Sequence, residues 1–302
     1  MSSETHLNTS GDVGGPDAPD PEHVVDPPPV RGSGLARRVV GYAARLKGFA
    51  YTCASLLAAI LLWALVVWVL DLPEYTLPSP WAVLQRIGET WNEQLLSATL
   101  VTSKETIIGF VVAIVVAVPL AVLLTYSKLA ERFLYPIMVS SQVVPKVAIA
   151  PLFVVWFGFG LTPKVLIAFL IAFFPIVIDT TVGLRSVDPG MLHLARSMGG
   201  GELKTFRKVR LPSGLPSFFG GLKVAVTLAV IGAVVGEFVG SSDGLGYVLI
   251  TATGNVDTPL VFASIVLMSL IGIVLFGVVE LIERIATPWH HSRRGETVQR
   301  TA

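Results

Sequence analysis

Six stretches of this chain are apolar for long enough to cross a lipid bilayer, and they restrict the fold more than any other feature. They cover residues 50–70, 107–124, 134–157, 165–182, 222–239 and 260–282. A helix needs about 20 apolar residues to traverse the hydrocarbon. No water is present there to satisfy backbone amides and carbonyls, so such a segment closes its own hydrogen bonds as a helix. Composition agrees: 53% of the 302 residues are hydrophobic and 14% are charged, with a mean hydropathy of +0.71. These values fall outside the range of soluble globular domains. The expectation is an all-α, polytopic membrane protein with six transmembrane helices.

Basic residues sort to one side of these runs. Arg37, Arg38, Arg45 and Lys47 precede the first, and Lys128 and Arg132 separate the second from the third. Arg185, Arg196, Lys204, Arg207, Lys208 and Arg210 separate the fourth from the fifth, and Arg284, Arg293, Arg294 and Arg300 follow the sixth. The positive-inside bias makes that side the cytoplasm, so both termini are expected inside a bacterial-type plasma membrane. With a net charge of only +1 and Lys and Arg gathered at membrane edges, nucleic acid is not an expected partner. The single cysteine, Cys53, excludes a disulfide framework within one chain and reads as a small apolar packing residue. Residues 1–34 are rich in Gly, Pro, Asp and Ser and read as a disordered cytoplasmic tail. They lack the basic start and directly following apolar run of a signal peptide. Residues 286–302 read as a basic cytoplasmic tail in which His290 and His291 are solvated. Neither a metal site nor a bound cofactor is expected.

The connections on the other side differ. Residues 71–103 carry Glu74, Glu89 and Glu93 against Arg86, and residues 241–258 carry Asp243 and Asp257 with no Lys or Arg. Ser79 is placed to cap a helix that starts at Pro80. Trp81, Leu84, Ile87, Trp91 and Leu95 then recur at helical spacing. An amphipathic helix on the outer surface is expected, its stripe suited to the headgroup boundary or to the bundle.

The connection between the fourth and fifth runs, about residues 185–220, is organised where a plain loop is not. The Asp188 carboxylate can accept from free amides of a first helical turn, and Pro189 needs no donor there. That helix is expected to end at Met198, because Gly199, Gly200 and Gly201 permit positive φ and a reversal. Residues 202–210 read as a second, basic amphipathic helix with Leu203, Phe206 and Val209 on one face. Leu211-Pro212 reads as a fresh start. A loop whose charges only set topology needs no cap, glycine break and aromatic anchor in this order. A partner is therefore expected to dock on this insert.

Ala195-Arg196-Ser197-Met198-Gly199, Thr205 through Pro212, and Gly214-Leu215-Pro216 resemble the "EAA" loop of binding-protein-dependent ABC importer permeases. In that pattern a Glu-Ala-Ala triplet precedes a glycine, and an aliphatic residue with Leu-Pro follows. Gly199 matches the glycine, Val209 the aliphatic position and Leu211-Pro212 the ending. His193 stands where Glu is usual and Leu194 where the first Ala is usual, while Ala195 matches the second Ala. Leu77-Pro78-Ser79-Pro80, the segment from Pro151 to Gly160, Gly236-Glu237-Phe238 and Gly244-Leu245-Gly246 are similar to the sulfonate, nitrate and taurine branch. Val144-Pro145-Lys146-Val147 with Ala150-Pro151 is similar to relatives associated with thiamine-precursor pyrimidines or riboflavin.

The resemblance implies a type I importer permease domain over residues 35–285. It implies ATPase subunits that bind ATP and Mg, an extracytoplasmic solute-binding protein, and a second permease subunit forming a homodimer. His193, Ala195, Gly199, Gly200, Phe206, Val209, Leu211 and Pro212 become the residues expected to couple to the ATPase. An ion-coupled secondary transporter is the rival from another class, and it leaves the insert unexplained.

Charged side chains within spans are costly and mark candidate sites. Lys146, beside Pro145 in the third run, is a candidate for the translocation path, as are Asp179 and Glu237, although these two also suit interfaces or helix caps. Gly232, Gly236 and Gly240 make a small-residue face suited to helix packing. The sequence has no glycine-rich phosphate loop ending in Lys-Ser or Lys-Thr, no Gly-x-Ser-x-Gly and no His-Glu-x-x-His. A transport subunit without its own ATP hydrolysis is expected.

Overall fold

The computed structural model describes residue 51 and residues 54–289. The tail expected over 1–34, Cys53 and the His290–His291 pair lie outside the described residues. The chain divides into two units, Met1–Ala58 and Ala59–Ala302. The packing described below lies within the second. Helix α1 (Ala54–Val69) begins in the first.

Among the described residues all regular structure is helical. After α1 come α2 (Pro80–Thr90), α3 (Leu96–Tyr126), α4 (Lys128–Ser141), α5 (Ala150–Phe157) and α6 (Leu161–Arg185). Then follow α7 (Pro189–Ser197), α8 (Glu202–Thr205), α9 (Leu211–Gly240), α10 (Leu245–Gly254) and α11 (Thr258–Ala286). Four helical stretches are long and apolar enough to cross a membrane: Pro80–Tyr126, Leu161–Arg185, Glu202–Gly240 and Thr258–Ala286. They contain the second, fourth, fifth and sixth apolar runs. The first run gives the shorter α1.

The third run departs from the expected single helix over 134–157. Here α4 and α5 meet at 86° across a break, a bent pair that counts as a fifth span only if both arms are taken together. Pro145 supplies the cause. Its ring disfavours helical geometry at Val144, its own backbone is extended, and a 3-10 turn, Lys146–Ile149, leads into α5 with Pro151 in the first turn.

Two helix junctions also differ from expectation. Ser79 does cap α2, its hydroxyl accepting from Ala82 N at 3.1 Å. Yet α2 is not a separate surface helix, because it runs through a π-helical turn, Trp91–Leu95, into α3. Val83, Ile87, Trp91 and Leu95 of that stretch pack with α10 and α11, whereas Trp81 and Leu84 stay exposed. Similarly, residues 202–210 form no independent helix. The π-helical turn Phe206–Arg210 joins α8 to α9, and Leu211 N–H donates back to Phe206 O. This wider turn absorbs the missing amide of Pro212, so the chain continues without a restart. Finally, residues 241–258 contain α10, a 10-residue apolar helix where the sequence suggests only a connection.

Small side chains set the core. On α3, Ala113, Ala117 and Ala121 recur every fourth residue and are fully buried with Ala172 of α6 and Ala225 and Ala229 of α9. Along the α6–α9 contact a Cβ at Gly183 would stand 2.7 Å from Gly214 O, and one at Gly232 would stand 2.6 Å from Ala168 Cα. Gly236 faces Lys164 Cα at 2.8 Å in the same sense, and Gly221 faces the Asp179 Cβ at 2.8 Å. Gly240 lies instead against the Phe159 ring. In lipid such close approach supplies the dispersion contacts that hold helices together. Gly232→Ala is expected to lower the melting temperature of the purified protein by several degrees, since overpacking costs about 1–3 kcal/mol. Gly220→Ala, on the same helix with nothing within 4 Å of the new methyl, is expected to leave it unchanged or slightly raised. Equal melting of both variants would remove the seam from the account.

Candidate functional site

The insert is built around one turn. Asp188 caps α7 through a 2.5 Å bond from Gly190 N. At the other end Gly199 N donates to Arg196 O (3.0 Å) and Gly200 N donates to Ala195 O (2.9 Å). With Gly199 at φ +74°, these two bonds form a Schellman motif. The two glycines are needed for different reasons. Gly199 has open space but a left-handed backbone, whereas a Cβ at Gly200 would stand 2.5 Å from Ala195 O. Gly201, with ordinary φ and open space, has neither need. Arg196 pairs with Glu202 at 2.9 Å across the turn.

The outward face of the insert is apolar. Met191, Leu194, Met198 and Leu203 are all more than half exposed, Met198 at 77%. His193 is exposed among them, and Ala195 and Val209 are recessed. On a soluble domain a cluster of this kind marks an interaction surface.

The base of the insert is tied to the bundle. Phe206 is half-buried, meets the Tyr126 ring edge-on at 6.0 Å and borders an apolar crevice with Leu211, Gly214 and Leu215. Arg210 lies 5.2 Å over the same Tyr126 ring and donates to Leu184 O at 3.3 Å. Arg185 donates to Leu124 O and to the Glu131 carboxylate. The last carbonyls of α3 and α6 thus receive guanidinium donors, which satisfies orphan acceptors and suits the negative helix ends. Pro212 sits in the first turn of α9 just beyond.

At the opposite end of α6 and α9 lies a buried polar cluster. Lys164 Nζ donates to Glu105 Oε1 at 2.6 Å, and their side chains are 6% and 2% exposed. Glu237, 1% exposed, accepts from Thr102 Oγ1 at 2.6 Å and from Gly246 N at 2.5 Å. Leu245 N in turn donates to Thr102 Oγ1 at 2.9 Å. Both bonds engage free amides at the start of α10, where a carboxylate is favoured. Gly244, at φ +99°, and Gly246 leave the room that the Glu237 side chain fills. Glu237 is therefore a helix cap, buried within the bundle.

The other two charged candidates lie apart. Lys146 sits at the α4–α5 break with its ammonium 4.6 Å from the Phe174 ring centroid, a cation–π distance. Asp179 is half-buried on α6 opposite Gly221. Sequence reasoning missed Glu105, Lys164 and Thr102, which fall just outside or at the rim of the apolar runs. For Glu105 and Lys164 the available signal was the charge itself, within two residues of a run boundary, whereas the uncharged Thr102 gave none.

These features describe a helical bundle with a capped, glycine-turned insert at one end and a charge-paired core at the other. The chain belongs to the family of binding-protein-dependent transport system inner membrane components, whose family model matches residues 109–286. It is 38% identical over 236 residues to the formylaminopyrimidine transport permease protein ThiX of Halalkalibacterium halodurans, covering 77% of this chain and 93% of that one. It is 33% identical over 224 residues to the putative aliphatic sulfonates transport permease protein SsuC of Bacillus subtilis, covering 72% and 80%. Its fold is similar to that of a chain of the inward-facing MetNI methionine ABC transporter, with a TM-score of 0.56, 21% identity and coverage of 64% and 96%. The chain is thus a multi-pass permease subunit of an ABC importer, and ATP hydrolysis belongs to a separate partner.

Breaking a buried ion pair leaves one charge unpaired at a cost of about 3–5 kcal/mol, whereas replacing both partners by apolar residues is often near neutral. Glu105→Leu and Lys164→Met are each expected to lower the yield of folded protein and its melting temperature sharply. The double variant is expected to recover most of the loss. Additive losses in that cycle would show that the pair does not hold the far end together.

Proposed function

We propose that the insert from Asp188 to Pro212 is the surface on which the ATPase subunit docks, and that ATP-driven closure of two such ATPases moves the α6–α9 hairpin. The observation that carries this reading is the exposed apolar face of α7 on a turn fixed by Gly199 and Gly200. His193, Ala195, Phe206, Val209, Leu211 and Pro212 divide the work: the first two face outward or line the docking side, and Phe206 with its neighbours anchors the insert to α3 and α6. The side that carries the insert is the cytoplasm, ATP and Mg sit on the ATPase, and two copies of this chain form the permease pair.

The transported solute is a small organic or anionic compound of the sulfonate, taurine or nitrate kind, delivered by an extracytoplasmic binding protein. A second reading, a thiamine-precursor pyrimidine or riboflavin-like compound, is favoured by the higher identity to ThiX than to SsuC. Lys146, at the break between α4 and α5, belongs on the translocation path under either reading. Uptake into vesicles carrying the permease, its ATPase and its binding protein, measured with taurine and with formylaminopyrimidine, separates the two.

Gly199→Val forces a β-branched residue into a left-handed backbone. It is expected to lower solute taken up per ATP hydrolysed at least about tenfold, within the range of allosteric coupling energies, while the protein still inserts and folds. Gly201→Val, placed in open space at ordinary φ, is expected to transport normally. Normal coupling in the Gly199→Val protein would count against docking at this turn.

A further inference from the structure

The insert has a concave feature of its own. Between α7 and the π-helical turn lies a cavity of about 320 Å³, with Ala195, Gly200 and Val209 recessed in it and Met198, Lys204 and Lys208 exposed around it. Thr205 is buried beneath and keeps contact with the turn through Gly200 O at 3.5 Å. Of the neighbouring cations, Arg196 pairs with Glu202 and Arg210 engages Tyr126 and Leu184 O, while Arg207 is exposed and lies outside the crevice lining. Among the described residues Lys204 and Lys208 have no carboxylate partner. An apolar floor of small residues beside two uncommitted ammonium groups is half of a complementary contact.

We propose that this crevice receives an apolar side chain of the ATPase subunit that is flanked by carboxylates, so that the partner inserts into the permease. The inference rests on the docking reading above. Small apolar pockets of this kind are where single side chains contribute most to binding, and the lysines set the charge of the partner's rim and steer its approach.

A protein occupant fits better than lipid headgroups. The helical stretch Glu202–Gly240 has 39 residues, roughly 58 Å at about 1.5 Å per residue. A bilayer with its headgroups is only about 40–45 Å thick. At the average tilt of about 20° the stretch still covers about 55 Å along the bilayer normal, so with its Gly240 end at one headgroup surface the Glu202 end stands beyond the other and the crevice opens to water.

The test uses the full-length chain in vesicles of neutral lipid and of neutral lipid with anionic lipid. The affinity of the ATPase subunit that co-purifies with it is measured at low and high salt. Ala195→Trp fills the crevice, and the pair Lys204→Glu with Lys208→Glu reverses its rim without touching buried residues. Each is expected to weaken binding about tenfold or more in both lipids. The charge-reversed protein is also expected to lose the weakening by salt that the unaltered protein shows. Wild-type affinity in both variants, with loss in Gly199→Val, overturns the crevice and leaves docking intact. Wild-type affinity in all three overturns docking itself. A defect of the charge-reversed protein confined to anionic vesicles assigns the lysines to the membrane and also overturns the proposal.

Discussion

Everything else in this bundle depends on how closely the backbones of α6 and α9 approach. Hydrophobic burial does not drive helices together in lipid, where tails are as apolar as side chains. What remains is contact at short range, and here it is supplied by glycines that let backbone touch backbone from Gly183 and Gly214 at one end to Gly236 and Lys164 at the other. The alanine row on α3 closes the third side. Close packing of this kind resists continuous deformation, so these helices move together or not at all.

That rigidity gives the two functional ends a common frame. The insert leaves α6 and returns through α9, its base held by Phe206, Arg185 and Arg210 against α3. The Lys164–Glu105 pair and the Glu237 cap fasten α3 and α10 to the same two helices at the far end. On the docking reading proposed above, a push on the insert reaches the α10 end as a displacement of a body, with no chain of individual side-chain rearrangements. On the same reading, two global positions of that body are what nucleotide and solute would each bias.

The parts legible in the sequence are those fixed within a few residues. The caps by Ser79 and Asp188 and the turn at Gly199 follow from local hydrogen-bond chemistry and backbone sterics, and hydropathy locates the long helices. Geometry beyond one turn is less visible. The 86° break at Pro145 leaves the hydropathy of residues 134–157 unchanged, and a π-helical turn has no distinct composition. The buried cluster escaped notice because Glu105 and Lys164 lie at the edges of their runs and look like boundary charges. Only the fold brings them together. Glu237 suits a helix cap from the sequence, but the helix it caps, α10, is too short to register as a span.

The π-helical turn at Phe206–Arg210 separates two tasks that one continuous helix would otherwise have to share. An α-helix advances each side chain by about 100°, and a π turn accommodates one extra residue. Before it and within it, Lys204 and Lys208 are exposed; after it, Gly214 meets α6. The orientation of the proposed docking face relative to the bundle is thus fixed by residue count. A lineage could rotate that face by a third of a turn through a single insertion or deletion, with every contacting side chain unchanged.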